Sequence, residues 1–292
     1  MEDNKKNNKN KRKNFIITII QVILLAIILY SAYKIGDYYY QNYKNTKKLE
    51  KVNEIVDDLE KEINKELKID DKSNHDKLTK EQLDFIAKRT IERLKLENKD
   101  IYAFIKIPEF KINNPVTWVH EDNDYYLFRD LEGNSSRPGT IFMNGWNKPD
   151  FSDMNITFFG HNLRTHPEFY SPMFKLLLTL EDPEVVKAKK ERIVEVYTEQ
   201  GYKKYMIFSA YYSHEYDDYI EPNRDKSEWV EYLQGIQAKS INDFGLNLEF
   251  KEEDKIITLS TCDNVSDEGR FVVHAIELKD KDVQNTNDTE WD

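Results

Sequence analysis

A single cysteine, Cys262, closes the apolar run Lys255-Ile-Ile-Thr-Leu-Ser-Thr261 and is followed by the polar stretch Asp263 to Gly269. That spacing puts a thiol at the end of a predicted strand, facing a loop, where a rigid scaffold can present a reactive group. Free cysteine is also among the most buried residue types and behaves as a small hydrophobe, so position alone leaves both readings open. As a nucleophile it would need a partner that takes its proton or stabilises the thiolate, usually a histidine. The chain has six: His75, His120, His161, His166, His214 and His274. His75 lies in a polar hinge, and His274 falls mid-strand, where a core or sheet-face role fits it. His161 directly follows Ile156-Thr-Phe-Phe159 and Gly160, again at a strand's end, and is the best placed. Acyl transfer by such a pair would also need a donor for the tetrahedral oxyanion. Arg270 opens the strand after Cys262, and a loop and turn would return its guanidinium beside the sulfur. Its fixed charge and planar donors suit that role. The plain alternative is an ion pair with Asp267 or Glu268.

The elements that would position these residues are short β-type runs separated by turn residues: 101–107, 116–120, 139–144, 155–160, 192–198, 204–212, 255–261 and 270–278. Eight short strands without regularly alternating helices predict a mainly β fold, a closed or nearly closed eight-stranded barrel. One helix interrupts the late strands, with Trp229, Leu233, Ile236 and Ile241 on one face of 227–241. Ahead of the strands, Thr79-Lys-Glu-Gln82 forms a capping-box pattern for a helix over about 80–97. Leu49, Val52, Val56, Leu59, Ile63 and Leu67 recur at three and four residue steps, the period of an amphipathic helix, read as a stalk or the first helix of the ectodomain. A polar break, Asp70 to Leu78, reads as a hinge.

The chain has 292 residues, with 43 Lys+Arg against 54 Asp+Glu, a net charge of −11. Residues 1–36 hold seven basic and two acidic groups, a net +5, which leaves −16 on residues 37–292. So acidic a body argues against nucleic acid as a partner, where cationic groups must displace phosphate counterions. One cysteine excludes an intrachain disulfide and thiolate-rich zinc or iron–sulfur sites. Phe15 to Tyr33 carries no charge over a length that spans roughly 28 Å as a helix, close to the roughly 30 Å hydrocarbon core. It exceeds the apolar core of a cleaved signal peptide and is read as a transmembrane anchor. Lys5, Lys6, Lys9, Lys11, Arg12 and Lys13 precede it, so the positive-inside rule keeps the N-terminus cytoplasmic and sends residues 37–292 outside.

Gly160-His161-Asn162, then Thr258-Leu-Ser-Thr-Cys262, then Arg270 on a strand, behind an N-terminal anchor, resembles the sortase family. The finer pattern is similar to class B sortases: Asn113-Asn-Pro-Val116, Asp122-Asn-Asp-Tyr-Tyr-Leu127, Gly139-Thr-Ile-Phe-Met143 and Met173-Phe-Lys-Leu176, with the 227–241 helix where that class carries one. The resemblance covers about residues 80–278. It implies a cysteine transpeptidase that cleaves a C-terminal sorting motif of an exported protein after threonine. The product is held as a thioacyl enzyme and passed to an amine of a cell-wall precursor, the lipid-linked peptidoglycan. By this analogy Cys262 is the nucleophile, His161 the acid and then base, and Arg270 the oxyanion donor, with no metal or organic cofactor required. Asn113, Thr117, Ser260 and Asp263 match substrate-contacting positions. Two local departures concern the sorting motif: Asn144-Gly-Trp-Asn147 stands where relatives often read Asp-Tyr-Arg-Asn, and Asn264 stands where a tyrosine is common.

The resulting organisation is a cytoplasmic basic tail at 1–14, a single-pass membrane anchor at 15–36, a helical stalk at 37–78, the catalytic domain at 79–279 and a polar disordered tail at 280–292. Three other readings compete, of which a plain cysteine protease lacks its papain-type signature, a CGxCW-like run near the mature N-terminus with the histidine far downstream, since here the histidine precedes the cysteine. A pilin-polymerising sortase would use a lysine acceptor, and often carries a lid with an Asp-Pro-aromatic motif; residues 37–100 contain no proline. A non-catalytic surface domain would bind ligands through Tyr202, Tyr205, Tyr211, Tyr212, Tyr216 and Tyr219.

Overall fold

The computed structural model describes residues 2–67, 78–162, 173–189, 192–263 and 268–279. His75, His166, almost all of the polar break at 70–78, and the 280–292 tail lie outside the described residues. The chain divides into two compact units, residues 1–44 and 45–292. Helix α1 (Glu2–Glu66) begins in the first and ends in the second. In the first unit it carries the uncharged stretch, whose large apolar side chains, such as Phe15, Val22, Leu25 and Leu29, are all exposed. By length and composition this helix can cross a membrane.

In the second unit, Leu49, Val52, Val56 and Ile63 of α1 are buried with Leu83, Ile86, Ala87, Ile91 and Leu94 of helix α2 (Lys80–Lys95) and with Ile101, Phe104, Tyr197 and Tyr202. Residues 45–66, read from sequence as a stalk or as the first helix of the ectodomain, share a core with the domain that follows. Each such aliphatic side chain taken out of water stabilises by about 1.5–3 kcal/mol. The expected capping box starts α2: Gln82 N–H donates to Thr79 Oγ1 at 3.3 Å and Thr79 N–H donates to Gln82 Oε1 at 2.9 Å.

The eight-stranded barrel is present and closed. Strands β1 (Ile101–Ile107), β2 (Ile112–Thr117), β3 (Phe142–Met143), β4 (Asn155–Phe159), β5 (Ile193–Thr198), β6 (Gly201–His214), β7 (Ile256–Cys262) and β8 (Gly269–Glu277) follow the order β1-β2-β3-β4-β7-β8-β6-β5. The β2/β3 and β4/β7 contacts are parallel and the others antiparallel. Strand β2 starts four residues before its expected position, because Pro115 reads as a break yet is tolerated here. Proline cannot donate to a ladder, and pairing with β3 begins only at Thr117, opposite Phe142. Helix α3 (Pro183–Ala188) was not anticipated, being too short to show a period.

Both faces of β7 are covered, which explains why its side chains are buried almost throughout. Ile257 and Leu259 join the barrel interior with Phe158, Phe271 and Val273. Ile256 lies on the other face, beneath helix α4 (Lys226–Ala238), with Trp229, Leu233, Ile236 and Val272. Side chains alternate along a strand. Ser260 and Cys262 therefore share the outer face with Ile256, and Arg270 shares that face of β8 with Val272.

Candidate active site

Register places the three sequence-predicted residues together. The antiparallel β7/β8 pair sets Cys262 opposite Arg270, and the parallel β4/β7 pair sets Phe159 beside Ser260. Past the end of β4, Gly160 N–H donates to Ser260 O at 3.1 Å, so the chain continues alongside β7. A Cβ on Gly160 would lie 2.8 Å from the ring of the buried Phe174, which makes glycine the residue that lets this crossing pack. Asn162 Nδ2 then donates to Cys262 O at 3.0 Å, tying the histidine segment to the cysteine's own backbone. Cys262, His161 and Arg270 all line one cleft of about 210 Å3, with Asn123, Leu127, Glu215, Tyr219, Ile220 and Ser260 among its walls.

His161 Nε2 lies 2.8 Å from the Leu127 carbonyl oxygen, which can only accept, so this nitrogen carries a proton and Nδ1 is left to exchange one. The Phe128 ring packs on the imidazole, with centroids 5.7 Å apart. Burial holds the His161 pKa below its ordinary value; the Leu127 carbonyl opposes that, and the nearby Arg137 charge adds to it. The Arg270 guanidinium donates to the Glu215 carboxylate and, through Nη1, to Gly269 O at 3.0 Å. Among the described residues its acidic partner is Glu215, just past the end of β6, while Glu268 pairs with His214 Nε2 at 2.7 Å. Asp267 lies outside the described residues.

The four expected substrate contacts are distributed differently. Ser260 lines the cleft, and its Oγ sits 3.0 Å from the Tyr219 hydroxyl in a buried pair. Burial raises the Tyr219 pKa and keeps the phenol neutral. Asp263 follows the cysteine, its N–H donating to Gly269 O at 3.1 Å. Asn113 pairs with Lys106 at the start of β2, and the fully buried Thr117 donates its N–H and hydroxyl to Ile141 O at 3.0 and 3.3 Å. Neither lines the cleft. Asn123 and Leu127 stand there instead, from the Asp122–Leu127 motif quoted above for its family pattern and assigned no role. The Asn144-Gly-Trp-Asn147 departure lies directly behind this wall: Asn123 Nδ2 donates to Asn144 Oδ1 at 3.1 Å, and Asn144 Nδ2 to Ile220 O at 3.0 Å. Among the described residues no group of three or more His, Cys, Asp or Glu side chains could hold a metal ion.

A thiol, an imidazole and a fixed cation in one cleft are the parts that acyl transfer requires, here at the ends of adjacent strands of a closed mixed barrel. The sortase-domain family model matches residues 105–278, and the chain belongs to the sortase family of cysteine transpeptidases. Its likeness is to class B. It is 28% identical to the sortase B of Listeria monocytogenes over 268 residues, 90% of this chain and 97% of that one. It is also 28% identical to the sortase B of Staphylococcus aureus over 274 residues, 92% and 99% of the two chains. The solved sortase B–substrate complex from Staphylococcus aureus superposes with a TM-score of 0.58 at 28% identity, covering 66% of this chain and 86% of that one.

Proposed function

We propose that this sortase is held in the cell membrane by residues 15–36, with its N-terminus cytoplasmic and its barrel outside. There it cleaves a sorting motif after threonine and transfers the exported protein to a cell-wall precursor amine. The Cys262 thiolate attacks the threonine carbonyl carbon, and the oxyanion that forms is stabilised by Arg270. The C–N bond then breaks, His161 gives its Nδ1 proton to the leaving amine, and a thioester remains on Cys262. The incoming amine attacks that thioester, loses a proton to His161, and expels the thiolate as the new amide forms. Charge and protons balance over the two halves, and no cofactor enters either. The observation that supports this most is the pairing of Cys262 with Arg270 in register, with His161 lining the same cleft.

The solved Staphylococcus aureus sortase B–substrate complex supports a substrate in this cleft. The tyrosine-rich binding face loses its basis, because Tyr202, Tyr205, Tyr211 and Tyr219 are buried and only Tyr212 and Tyr216 of that set are exposed. The test is product analysis with the full chain in detergent, using peptides bearing NPxT(N/G), SPxTG or LPxTG together with triglycine or a lysine-containing peptide as acceptor. Cleavage after threonine with triglycine joined to the new end supports a cell-wall acceptor. Joining through a lysine side chain alone moves the reading to pilin polymerisation, and a folded enzyme that cleaves none of them contradicts the proposal.

A further inference from the structure

His161 is held from outside its own strand, by the Leu127 carbonyl. Leu127 belongs to the loop between β2 and β3, which folds back on itself: Ser136 N–H donates to Phe128 O at 2.9 Å and Thr140 N–H to Tyr126 O at 3.0 Å. Two residues of α1 grip this loop. Lys48 bridges Asp130 and Glu132 at its tip, the latter at 2.8 Å, with Asp130 almost fully buried. The buried Asn45 reaches Gly139 O at its base. Gly139 has φ +62°, and a Cβ there would lie 2.2 Å from the Leu127 oxygen itself. One continuous set of contacts therefore runs from α1 through the loop to the carbonyl on which the imidazole rests.

We infer that Asn45 and Lys48 are positioning residues for the transpeptidation: the helix that follows the apolar segment sets where the Leu127 carbonyl stands and so orients His161. This rests on the assignment of His161 as acid and base. Displacing a proton-transfer group by a fraction of an ångström to an ångström costs rate with little effect on substrate binding. The groups that face His161 are the Leu127 carbonyl, the Phe128 ring, Arg137, and, around the cleft, Cys262, Arg270, Glu215 and Asp124. Of these, the carbonyl supports protonation, so loosening it lowers the pKa of the ring.

The test uses the full chain in detergent with a cleavable sorting peptide, comparing Lys48→Met, Asn45→Ala and Lys48→Arg. Lys106→Met is the control, since it breaks the Lys106–Glu60 pair, which also joins α1 to the barrel but does not touch the loop. Lys48→Met should lower kcat about tenfold with KM little changed, an effect of misplacement rather than lost binding. It should also move the His161 titration, followed by NMR, to lower pH, and Lys48→Arg should restore both. Lys106→Met should lower Tm but leave the His161 titration where it was. If Lys48→Met and Lys106→Met lose activity equally and in step with Tm, the coupling is overturned while an inactive His161→Ala keeps the site assignment intact. A fully active His161→Ala would overturn both.

Discussion

Cys262 and Arg270 face each other across the β7/β8 pair, so the thiol and the guanidinium are fixed by a single strand register. A register slip by one residue would turn either side chain to the opposite face of the sheet. The buried flanks, Leu259 and Val273 inside the barrel and Ile256 and Val272 outside, make that slip costly. Placement of the thiol beside the guanidinium is therefore a by-product of core packing.

Arg270→Lys should remove the forked donor that meets Glu215 and Gly269 O while keeping the charge. Loss of one oxyanion donor lowers kcat by about 10²–10³-fold. Steady-state kinetics on a sorting peptide measures this, and an activity within about threefold of the parent would show that the guanidinium geometry is not used.

His274 is fully buried between Thr258 Oγ1 at 2.9 Å and the Tyr211 hydroxyl at 3.0 Å, and burial pushes its pKa from 6.5 down to about 3. The unfolded chain takes up a proton below about pH 6.5 that the folded chain refuses, so stability falls on acidification through the window from about 6.5 to 3. At pH 5 the loss is roughly 2 kcal/mol from this group alone. His161, also depressed by burial, acts in the same direction. Thermal unfolding from pH 7 to 5 should show a smaller loss in His274→Gln than in the parent; equal losses would remove His274 as the cause.

Gly139→Ala should be damaging twice over. An L side chain is strained at φ +62°, and its Cβ would collide with the Leu127 carbonyl. The expected cost is about 2 kcal/mol or more, with kcat reduced beyond what the lower Tm explains. A variant of unchanged Tm and kcat would show that this loop tolerates the displacement.

The Tyr219 hydroxyl and Ser260 Oγ are each other's buried partner at 3.0 Å. Removing either leaves a polar group unsatisfied, so Tyr219→Phe and Ser260→Ala should each cost about 1–2 kcal/mol, with the double variant costing less than their sum. Strict additivity in chemical denaturation would mean the pair does not interact.

The barrel was readable because its strands are apolar runs of the right length, and the meeting of Cys262, His161 and Arg270 in one cleft was readable because each stands at the end or start of such a run. What Leu49 to Ile63 packs against was not readable, since a helical period reports an apolar face and not its partner; the partner is α2 and the outer wall of β1, β5 and β6. The cleft wall was missed for a related reason. Residues 118–141 have no period to follow, and their positions depend on long-range bonds such as Asn98 Nδ2 to Leu131 O at 2.8 Å and Tyr126 OH to Asp100 Oδ2 at 2.9 Å. Asn113 and Thr117 lie close in sequence to the first strand, but β2 is buried without a break from Asn114 to Thr117, which takes Thr117 out of the cleft and leaves the wall to Asn123 and Leu127.

The most direct measurement is the intact mass of the full chain mixed with a sorting peptide and no acceptor amine, beside Cys262→Ala and His161→Ala. A thioester should add the mass of the peptide up to its threonine to the parent, be absent from Cys262→Ala, and disappear when triglycine is added. An adduct that persists in Cys262→Ala, or peptide cleavage by that variant at the parent's rate, would contradict the assignment of Cys262 as nucleophile.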